Sequence, residues 1–490
     1  MASTNSSLAH LAGLVGGRVR GDAGVTVRDV THDSRQAGPG TLFVAIPGAT
    51  HDGHDYVPAA VAAGSPAVMV EREVDTAAVQ LVVEATRPAM APVAAEVYDH
   101  PSRRLSLVGV TGTNGKTTVT HMVEAIAAAA GRCAGLIGTV HTRVGHTNIP
   151  NTRTTPESSD FQRLLASMVD LGADIVAAEV SSHALQMHRV DATRFSVAAF
   201  TNLSQDHLDF HGDMDRYFAA KALLFEPERS ENAVVWVDDP AGRRLLDLLE
   251  IPVVTVGEGG EVYASGIEVG IAGSRYRLHC PEGEADVLLP LGGGFNVDNS
   301  LIAAACAHAL RVPLNAVVAG LGAFSGVPGR FEVVSGDDPI RVVVDYAHTP
   351  AGIASAIATI RGLPPKHLES GRIIVVFGAG GDRDRAKRGQ MGAAAAGADV
   401  VVITSDNPRS EDPEAIIDEV LAGVERPERF LRQADRRQAI QTAVDLAADG
   451  DVVLILGRGH ERGQEVAGRS FPFDDRQVSR EALAESRGRR

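Results

Sequence analysis

Aromatic side chains are scarce in this chain, cysteines scarcer still, and positive charge falls short of negative. Phe, Trp and Tyr make up 4% of the 490 residues, so small aliphatic residues have to fill the cores. Ala, Val and Gly dominate, a composition that suits helices and buried parallel strands. The three cysteines, Cys133, Cys280 and Cys306, lie far apart with no metal-ligand spacing. That excludes a cysteine-based metal site and predicts buried apolar thiols. With 46 basic against 62 acidic residues the formal charge is −16, which excludes bulk binding to nucleic acid or to an anionic membrane. A local basic site for an anionic substrate remains open. No apolar stretch reaches the ~18–20 residues that a membrane span requires. The opening MASTNSSLAHLAGLVGG lacks a basic region followed by a long apolar run, so the expectation is a cytoplasmic protein without stable membrane insertion.

What is present points to several α/β domains. The chain is too long for one ordinary core, and 44% hydrophobic with 22% charged residues fits soluble globular domains. Residues 1–104 carry short strands and turns and end in the punctuation PSRR. From Leu105 the pattern becomes alternating strand and helix: LSLVGV, a Gly/Thr loop, the helical TTVTHMVEAIAAAA, then ADIVAAEV and VAAFTNL with helical SDFQRLLASMVDLG among them. Alternation of this kind predicts an open, largely parallel sheet with ligands at the carboxyl ends of its strands. A second change falls near FSGVPGRFEVV. Beyond it, RVVVDYAHTP, GRIIVVFGAGGDRDRAKR, ADVVVITSDNPR and GDVVLILGRGHERGQ are four apolar strands that run into polar, Gly-rich loops. The expected domains are therefore 1–104, 105–331 and 332–490. No repeat or low-complexity segment is expected beyond a short polar tail at ESRGRR.

The stretch GVTGTNGKTTVTHM, Gly109–Met122, is a phosphate-binding loop with a displaced glycine. The strict G-x-x-x-x-G-K-[ST] pattern needs Gly where Val110 stands. Gly112 and Gly115 nonetheless supply backbone freedom around Thr113 and Asn114, Lys116 supplies charge, and Thr117 a hydroxyl placed for Mg²⁺, with Thr118 next in the helix. Two further segments read as belonging to the same centre. ADIVAAEVSSHAL brings Glu179 to the end of an apolar strand, where a carboxylate could reach a magnesium ion. FTNLSQDHLDFHGDMDRYFAAKALLF sets Asn202, Asp206, His207, Asp209 and His211 after a strand and Lys221 on the helix that follows.

The loop T-G-T-N-G-K-T-T and the lysine segment resemble those of the Mur ligases and of their relative folylpolyglutamate synthase, which are ATP-dependent amide-forming ligases. The resemblance runs from about residue 25 to 480. It implies that Glu179 and His207 are metal ligands and that Lys221 is N-carboxylated, completing with Thr117 the sites for two Mg²⁺ ions. A carbamate would turn a repelled ammonium into an oxygen donor. It implies ATP contacts from Asn299 to adenine and from Arg330 to the phosphates. Asp345 would bind ribose, His348 would lie near the base, and Asn296 would hold a turn.

SDNPRSEDP, with Asp406, Asn407, Pro408 and Arg409, matches the D-N-P-R motif of family members that add meso-diaminopimelate. A guanidinium can hold in a bidentate pair the distal carboxylate that diaminopimelate has and lysine lacks. Arg383, Gly457 and Glu461 would complete that site, Glu461 accepting from the distal ammonium. For a UDP-muramoyl dipeptide the resemblance implies Ser34 and Arg35 at uridine. Thr154, Thr155, Ser181, Arg189 and Lys221 would then hold the muramoyl peptide and its phosphates. Some members carry Gln where Met187 stands, so an amide contact is not expected there.

The expectation is a monomeric three-domain α/β ligase with a UDP-binding domain, a central P-loop ATPase domain and a Rossmann-like C-terminal domain. It would form an acyl phosphate on the D-glutamyl γ-carboxylate and pass it to the amine of diaminopimelate, its partners being small molecules and not nucleic acid. Closure of the C-terminal domain would keep water from the acyl phosphate. The rivals are a lysine-adding ligase of the same family, a folylpolyglutamate synthase, an ATP-hydrolysing switch or transport protein, and an inactive UDP-sugar-binding module.

Overall fold

Three mostly parallel sheets, one per segment of the chain, set the positions of the candidate residues. The computed structural model describes residues 5–48, 51–151, 153–336, 338–363 and 371–489.

The central sheet has eight strands. Its parallel body runs Ala134–Ile137, Ile175–Glu179, Ser106–Thr111, Val197–Phe200, Ala233–Trp236, Val253–Val256, with an antiparallel hairpin, Thr142–Val144 and Thr147–Asn148, on one edge. These strands are continuous runs of Val, Ala, Leu and Ile because helices cover both faces. Helices Lys116–Ala129 and Gly294–Ala309 pack on one face in a cluster that includes Val119, Met122, Val297 and Leu301. Ser158–Asp170 covers the other through Phe161, Leu165 and Met168. Thr111 and Glu179 end adjacent strands, so the loop and the carboxylate meet at the carboxyl edge.

The N-terminal sheet orders Arg18–Arg20, Val79–Val82, Ala67–Val70, Thr41–Val44, Asp29–Thr31. In the C-terminal sheet the four expected apolar strands are parallel neighbours, Arg341–Asp345, Val452–Leu456, Ile373–Phe377 and Val400–Ile403, with Phe430–Arg432 beyond them. Among the described residues no helix is long and apolar enough to cross a membrane.

Three expectations need correction. An antiparallel three-stranded sheet, Tyr263–Val269, Ser274–Cys280 and Gly283–Leu289, stands where no separate unit was anticipated. The polar tail is the end of a helix, Asp475–Arg489, in which Arg487 pairs with Asp338. Of the cysteines only Cys306 is buried; Cys133 and Cys280 are half-buried, and all three are free thiols.

That last helix is anchored by a buried ion pair. Arg436 Nη2 and Nε meet Asp475 Oδ2 and Oδ1 at 2.7 and 2.8 Å, both side chains are 0% exposed, and Nη2 also donates to Leu456 O. Removing one partner of a fully buried pair strands the other charge, at a cost of about 3–5 kcal/mol. Asp475→Asn is therefore expected to lower the unfolding temperature of the C-terminal domain in calorimetry. Replacing both residues by apolar ones of similar volume should recover much of the loss. An unchanged midpoint in the single variant would show that the pair carries no net weight.

Candidate functional site

Gly112 and Gly115 adopt φ of +146° and +89°, left-handed space in which side chains are strained. A Cβ on Gly112 would lie 1.9 Å from Thr201 Oγ1, and one on Gly115 would lie 2.4 Å from Asn299 Oδ1. The loop thus folds tightly against the next strand and leads into its helix at Lys116. Asn202 braces it, accepting from Asn114 N at 2.9 Å and donating to Asn114 O at 3.2 Å. Lys116 Nζ donates to the carbonyls of Gly112 and Thr113 at 2.8 and 2.9 Å. Burial lowers the pKa of this amine and Glu179 opposes the shift.

Loop residues 113–118 line a cavity of about 500 Å³ together with Thr139, Thr154, Glu179, Ser181, Asp206 and His207. Asn299, Arg330, Asp345 and His348 line it too. Arg330 Nη2 donates to Thr117 Oγ1 at 3.2 Å, and the guanidinium lies 4.2 Å over the Tyr346 ring. Asp345 accepts from the amides of Phe331 and Ala347 at 2.7 and 2.8 Å, and burial raises its pKa. Asn299 donates to Asn296 Oδ1 at 3.3 Å, and Asn296 donates to Gly292 O at 2.7 Å, holding that turn.

Glu179, 1% exposed, accepts from Thr117 Oγ1 at 2.9 Å and from Thr139 N at 2.7 Å. Lys221, also 1% exposed, donates to Gly112 O at 2.9 Å, with its amine 4.3 Å over the Tyr217 ring. Burial and nearby Lys116 hold that amine well below the ordinary lysine range, against the pull of Asp206. His207 has φ of +55°, and its ring meets His183 edge-on at 4.7 Å. Burial lowers its pKa, against the pull of Asp206 and with the help of His183 and His348. Asp209 flanks this group, and His211 turns away to Ser182 Oγ at 2.9 Å.

On the amino-acid side, Asn407 donates to Glu461 Oε2 at 2.7 Å and accepts from Glu465 N at 2.9 Å. Gly457, φ +116°, lies against Asp406: a Cβ there would be 2.6 Å from Asp406 Oδ2. Burial raises the pKa of Glu461, and Asp406 adds to the effect. Arg409 has φ of +53°, donates through Nη1 to Gly381 O at 2.6 Å, and places Nε 3.4 Å from Glu465. Arg383 donates to Asp382 O at 3.0 Å on the adjoining glycine turn.

Thr155 Oγ1 joins strand and helix, donating to Glu179 O at 2.8 Å and accepting from Ser181 N at 3.1 Å. Thr154 meets Thr139 Oγ1 at 2.9 Å. Arg189 Nη2 pairs with Glu157 at 2.8 Å and lies 3.7 Å from Met187 Sδ, so the thioether faces the guanidinium where an amide was in doubt. Ser34 and Arg35 form a 3₁₀ turn in the N-terminal domain, separate from the central cavity. Arg35 is 88% exposed and held to Asp33.

The chain matches three family models: "Mur ligase family, catalytic domain" over residues 26–108, "Mur ligase middle domain" over 110–307, and "Mur ligase, glutamate ligase domain" over 329–459. It is 43% identical to UDP-N-acetylmuramoyl-L-alanyl-D-glutamate–2,6-diaminopimelate ligase of Aquifex aeolicus, covering 93% of this chain and 94% of that protein. The enzyme of the same name from Streptomyces avermitilis is 44% identical, over 98% and 97%. The chain belongs to the Mur ligase family. A solved ligase of that name, 30% identical, superposes with a TM-score of 0.68 over 99% of this chain and all of the other. Mycobacterium tuberculosis folylpolyglutamate synthase, complexed with ADP and AMPPCP, shares the fold alone at 23% identity, TM-score 0.63, over 76% and 92%.

In this Mur ligase, Thr117 and Glu179 offer hydroxyl and carboxylate oxygens 2.9 Å apart on the cavity wall, a donor set that fits a hard divalent ion beside a nucleotide phosphate. Among the described residues no three His, Cys, Asp or Glu side chains converge as a ready-made metal cage. His207 and Lys221 instead flank Tyr217.

Reading the sequence missed Lys387, although it lies in the basic run that supplies Arg383. Its Nζ reaches Asp206 Oδ1 at 2.9 Å from the C-terminal domain, while His348 and His207 each stand 3.5 Å from Oδ2. Burial works against the Asp206 carboxylate, yet His348, His207 and Lys387 together hold its pKa well below the usual range. One carboxylate therefore ties the two domains together beside the cavity.

Proposed function

We propose that this chain joins meso-2,6-diaminopimelate to the D-glutamyl γ-carboxylate of UDP-N-acetylmuramoyl-L-alanyl-D-glutamate at the expense of ATP, a step of peptidoglycan precursor synthesis. The observation that carries the reading is the Asp406–Arg409 loop packed on Gly457 and Glu461, in a chain similar over nearly its full length to ligases of that name. We assign residues 1–104 to the UDP-sugar, 105–331 to ATP and 332–490 to the amino acid.

ATP transfers its γ-phosphoryl group to the γ-carboxylate, giving an acyl phosphate and ADP. The free amine then attacks the acyl carbon and phosphate leaves. Lys116 and Arg330 meet the transferring group and offset its growing charge, while loop amides orient it. Asp345 and Asn299 hold the nucleoside, with His348 near the base. Thr117, Glu179, His207 and a carbamate on Lys221 would hold Mg²⁺, which supplies charge neutralisation when bound. The depressed pKa of Lys221 supports the carbamate, because a neutral amine is the form that adds CO₂ with loss of a proton. Thr154, Thr155, Ser181 and Arg189 hold the peptide, and Ser34 and Arg35 the uridine.

Arg383, Asp406, Asn407, Arg409, Gly457 and Glu461 hold diaminopimelate, Glu461 accepting from the distal ammonium. The pair Lys387–Asp206 keeps the domains closed and water out of the acyl phosphate. All these residues come from one chain, so a monomer suffices. ATP consumption and unpaired cysteines fit the cytoplasm.

The test is phosphate release from ATP and Mg²⁺ with the UDP-muramoyl dipeptide, comparing meso-diaminopimelate, L-lysine and no amine. Release that needs diaminopimelate is expected. Equal rates with lysine would overturn the specificity, and turnover without any acceptor would overturn ligation.

A further inference from the structure

Three arginines from three segments converge on one carboxylate between the N-terminal and central domains. Arg87, on helix Thr86–Val97 of the N-terminal domain, reaches Glu157 Oε2 at 2.8 Å. Arg189 and Arg153 share the other oxygen, Oε1, at 2.8 and 3.1 Å. The Glu157 side chain is 6% exposed and that of Arg189 10%, against 24% for Arg87 and 52% for Arg153.

Two features say that this is more than a bridge. Three guanidiniums on one carboxylate leave the cluster two positive charges in excess, which is costly for partly buried groups without a further anion. The nearby acids do not supply it, since Asp33 is bound to Arg35 and Asp160 to Arg163. In addition, Arg189 Nε and Ser158 Oγ are buried donors without a hydrogen-bond partner, and such groups are normally satisfied. Glu157 also caps the helix Ser158–Asp170 without bonding its amides, so the positive end of that helix adds to the field.

The location connects two parts of the substrate path. His32, next to the Asp33–Ser34–Arg35 turn, meets Ser159 Oγ at 3.1 Å, two residues from Glu157. On the other side Arg189 donates to Thr155 O at 3.3 Å, and Thr155 holds the strand end that carries Glu179. The cluster thus sits between the turn assigned to uridine and the threonines assigned to the peptide.

We propose that Arg87, Arg153 and Arg189 form a binding site for an anionic group of the nucleotide substrate, for which Glu157 is the resident competing carboxylate. The inference rests on the ligase reading above. Sequence motifs pointed to Arg189 alone; Arg87 and Arg153 are new to the site. The anion is either the diphosphate of the nucleotide or a carboxylate of its peptide, and both match guanidinium forks.

Calorimetry with the full chain separates these sources without requiring turnover. Arg153→Ala, at the most exposed of the three positions, is expected to weaken UDP-N-acetylmuramoyl-L-alanyl-D-glutamate by on the order of 10- to 100-fold, leaving ATP affinity unchanged. If the diphosphate is the ligand, UDP weakens by the same factor; if the peptide carboxylate is, UDP binding does not change. Glu157→Gln provides the control for a merely structural bridge. A bridge would be broken equally by either substitution, whereas an anion site loses no affinity when Glu157 is neutralised. Unchanged dipeptide affinity in Arg153→Ala, or equal loss in Glu157→Gln, would overturn the anion site. A wild type that binds the nucleotide without ligating would count instead against the reaction, and one that does not bind it would sink both.

Discussion

Lys116→Ala is expected to lower kcat for ligation by on the order of 10³-fold or more, with the affinity for diaminopimelate nearly unchanged. The expectation follows from where the ammonium sits and from what it has to do. Its amine is curled onto the carbonyls of Gly112 and Thr113, at the mouth of a loop whose glycines leave no room for side chains. A phosphate among those loop amides would draw the ammonium off the carbonyls and onto its oxygens. Preorganised charge aimed at a transferring phosphoryl group contributes two to five orders of magnitude in comparable sites. Water entering the cavity in the variant carries no fixed charge and cannot replace the ammonium. Lys116→Arg should recover little, because a planar fork cannot occupy the space of a compact ammonium. Rapid-quench measurement of acyl phosphate formation is the decisive readout. Loss of that first step, with diaminopimelate binding intact by calorimetry, is the predicted pattern. A variant that still forms acyl phosphate at the wild-type rate would remove Lys116 from phosphoryl transfer.

The parts of this site that could be read in the sequence are those where backbone geometry dictates residue type. Gly112 and Gly115 had to be glycine because their φ values are positive and Thr201 and Asn299 stand in the way of any Cβ. The same holds for Gly457 against Asp406. Strand ends were legible as well, because parallel strands covered on both faces are unbroken apolar runs, so Glu179, Asp345 and Asp406 stand out as the first charged residues that end or follow them. What escaped depends on contacts between distant segments. Nothing around Arg87 or Arg153 announces that they meet Arg189 on Glu157. Lys387 reads as one cation in a basic run until the fold sets it on Asp206. The antiparallel sheet of Tyr263–Leu289 was missed because its first strand buries none of its residues, leaving Tyr263 and Ile267 exposed, and the segment carries no chemistry-bearing motif. The resemblance supplied roles, but the distances came from the fold.

Arg409→Ala is expected to raise the KM for meso-diaminopimelate by about 10²–10³-fold and to collapse the preference over L-lysine toward unity. The two amino acids differ at one end, where diaminopimelate carries an extra carboxylate. Arg409 is held for that difference in a conformation that costs the backbone, with φ of +53° and its own amide and carbonyl bonded to Glu465 and Ala467. Its guanidinium is tethered through Nη1 to Gly381 and only loosely to Glu465, so the side chain is oriented without being neutralised by a close ion pair. Each hydrogen bond to a charged group contributes about 1.5–3 kcal/mol, and a bidentate pair with some non-additivity corresponds to the two to three decades expected. Lysine makes no such pair, so its poor turnover should scarcely change, and the loss falls on one substrate alone. Arg409→Lys should restore only part of the discrimination, since a point charge cannot reproduce the fork. The measurement is kcat/KM for both amines in wild type and both variants. Retention of the wild-type ratio in Arg409→Ala would move recognition of the distal carboxylate elsewhere on the glycine turn, with Arg383 the next residue to test. A parallel fall for both amines would mean that Arg409 supports the loop and does not read the substrate.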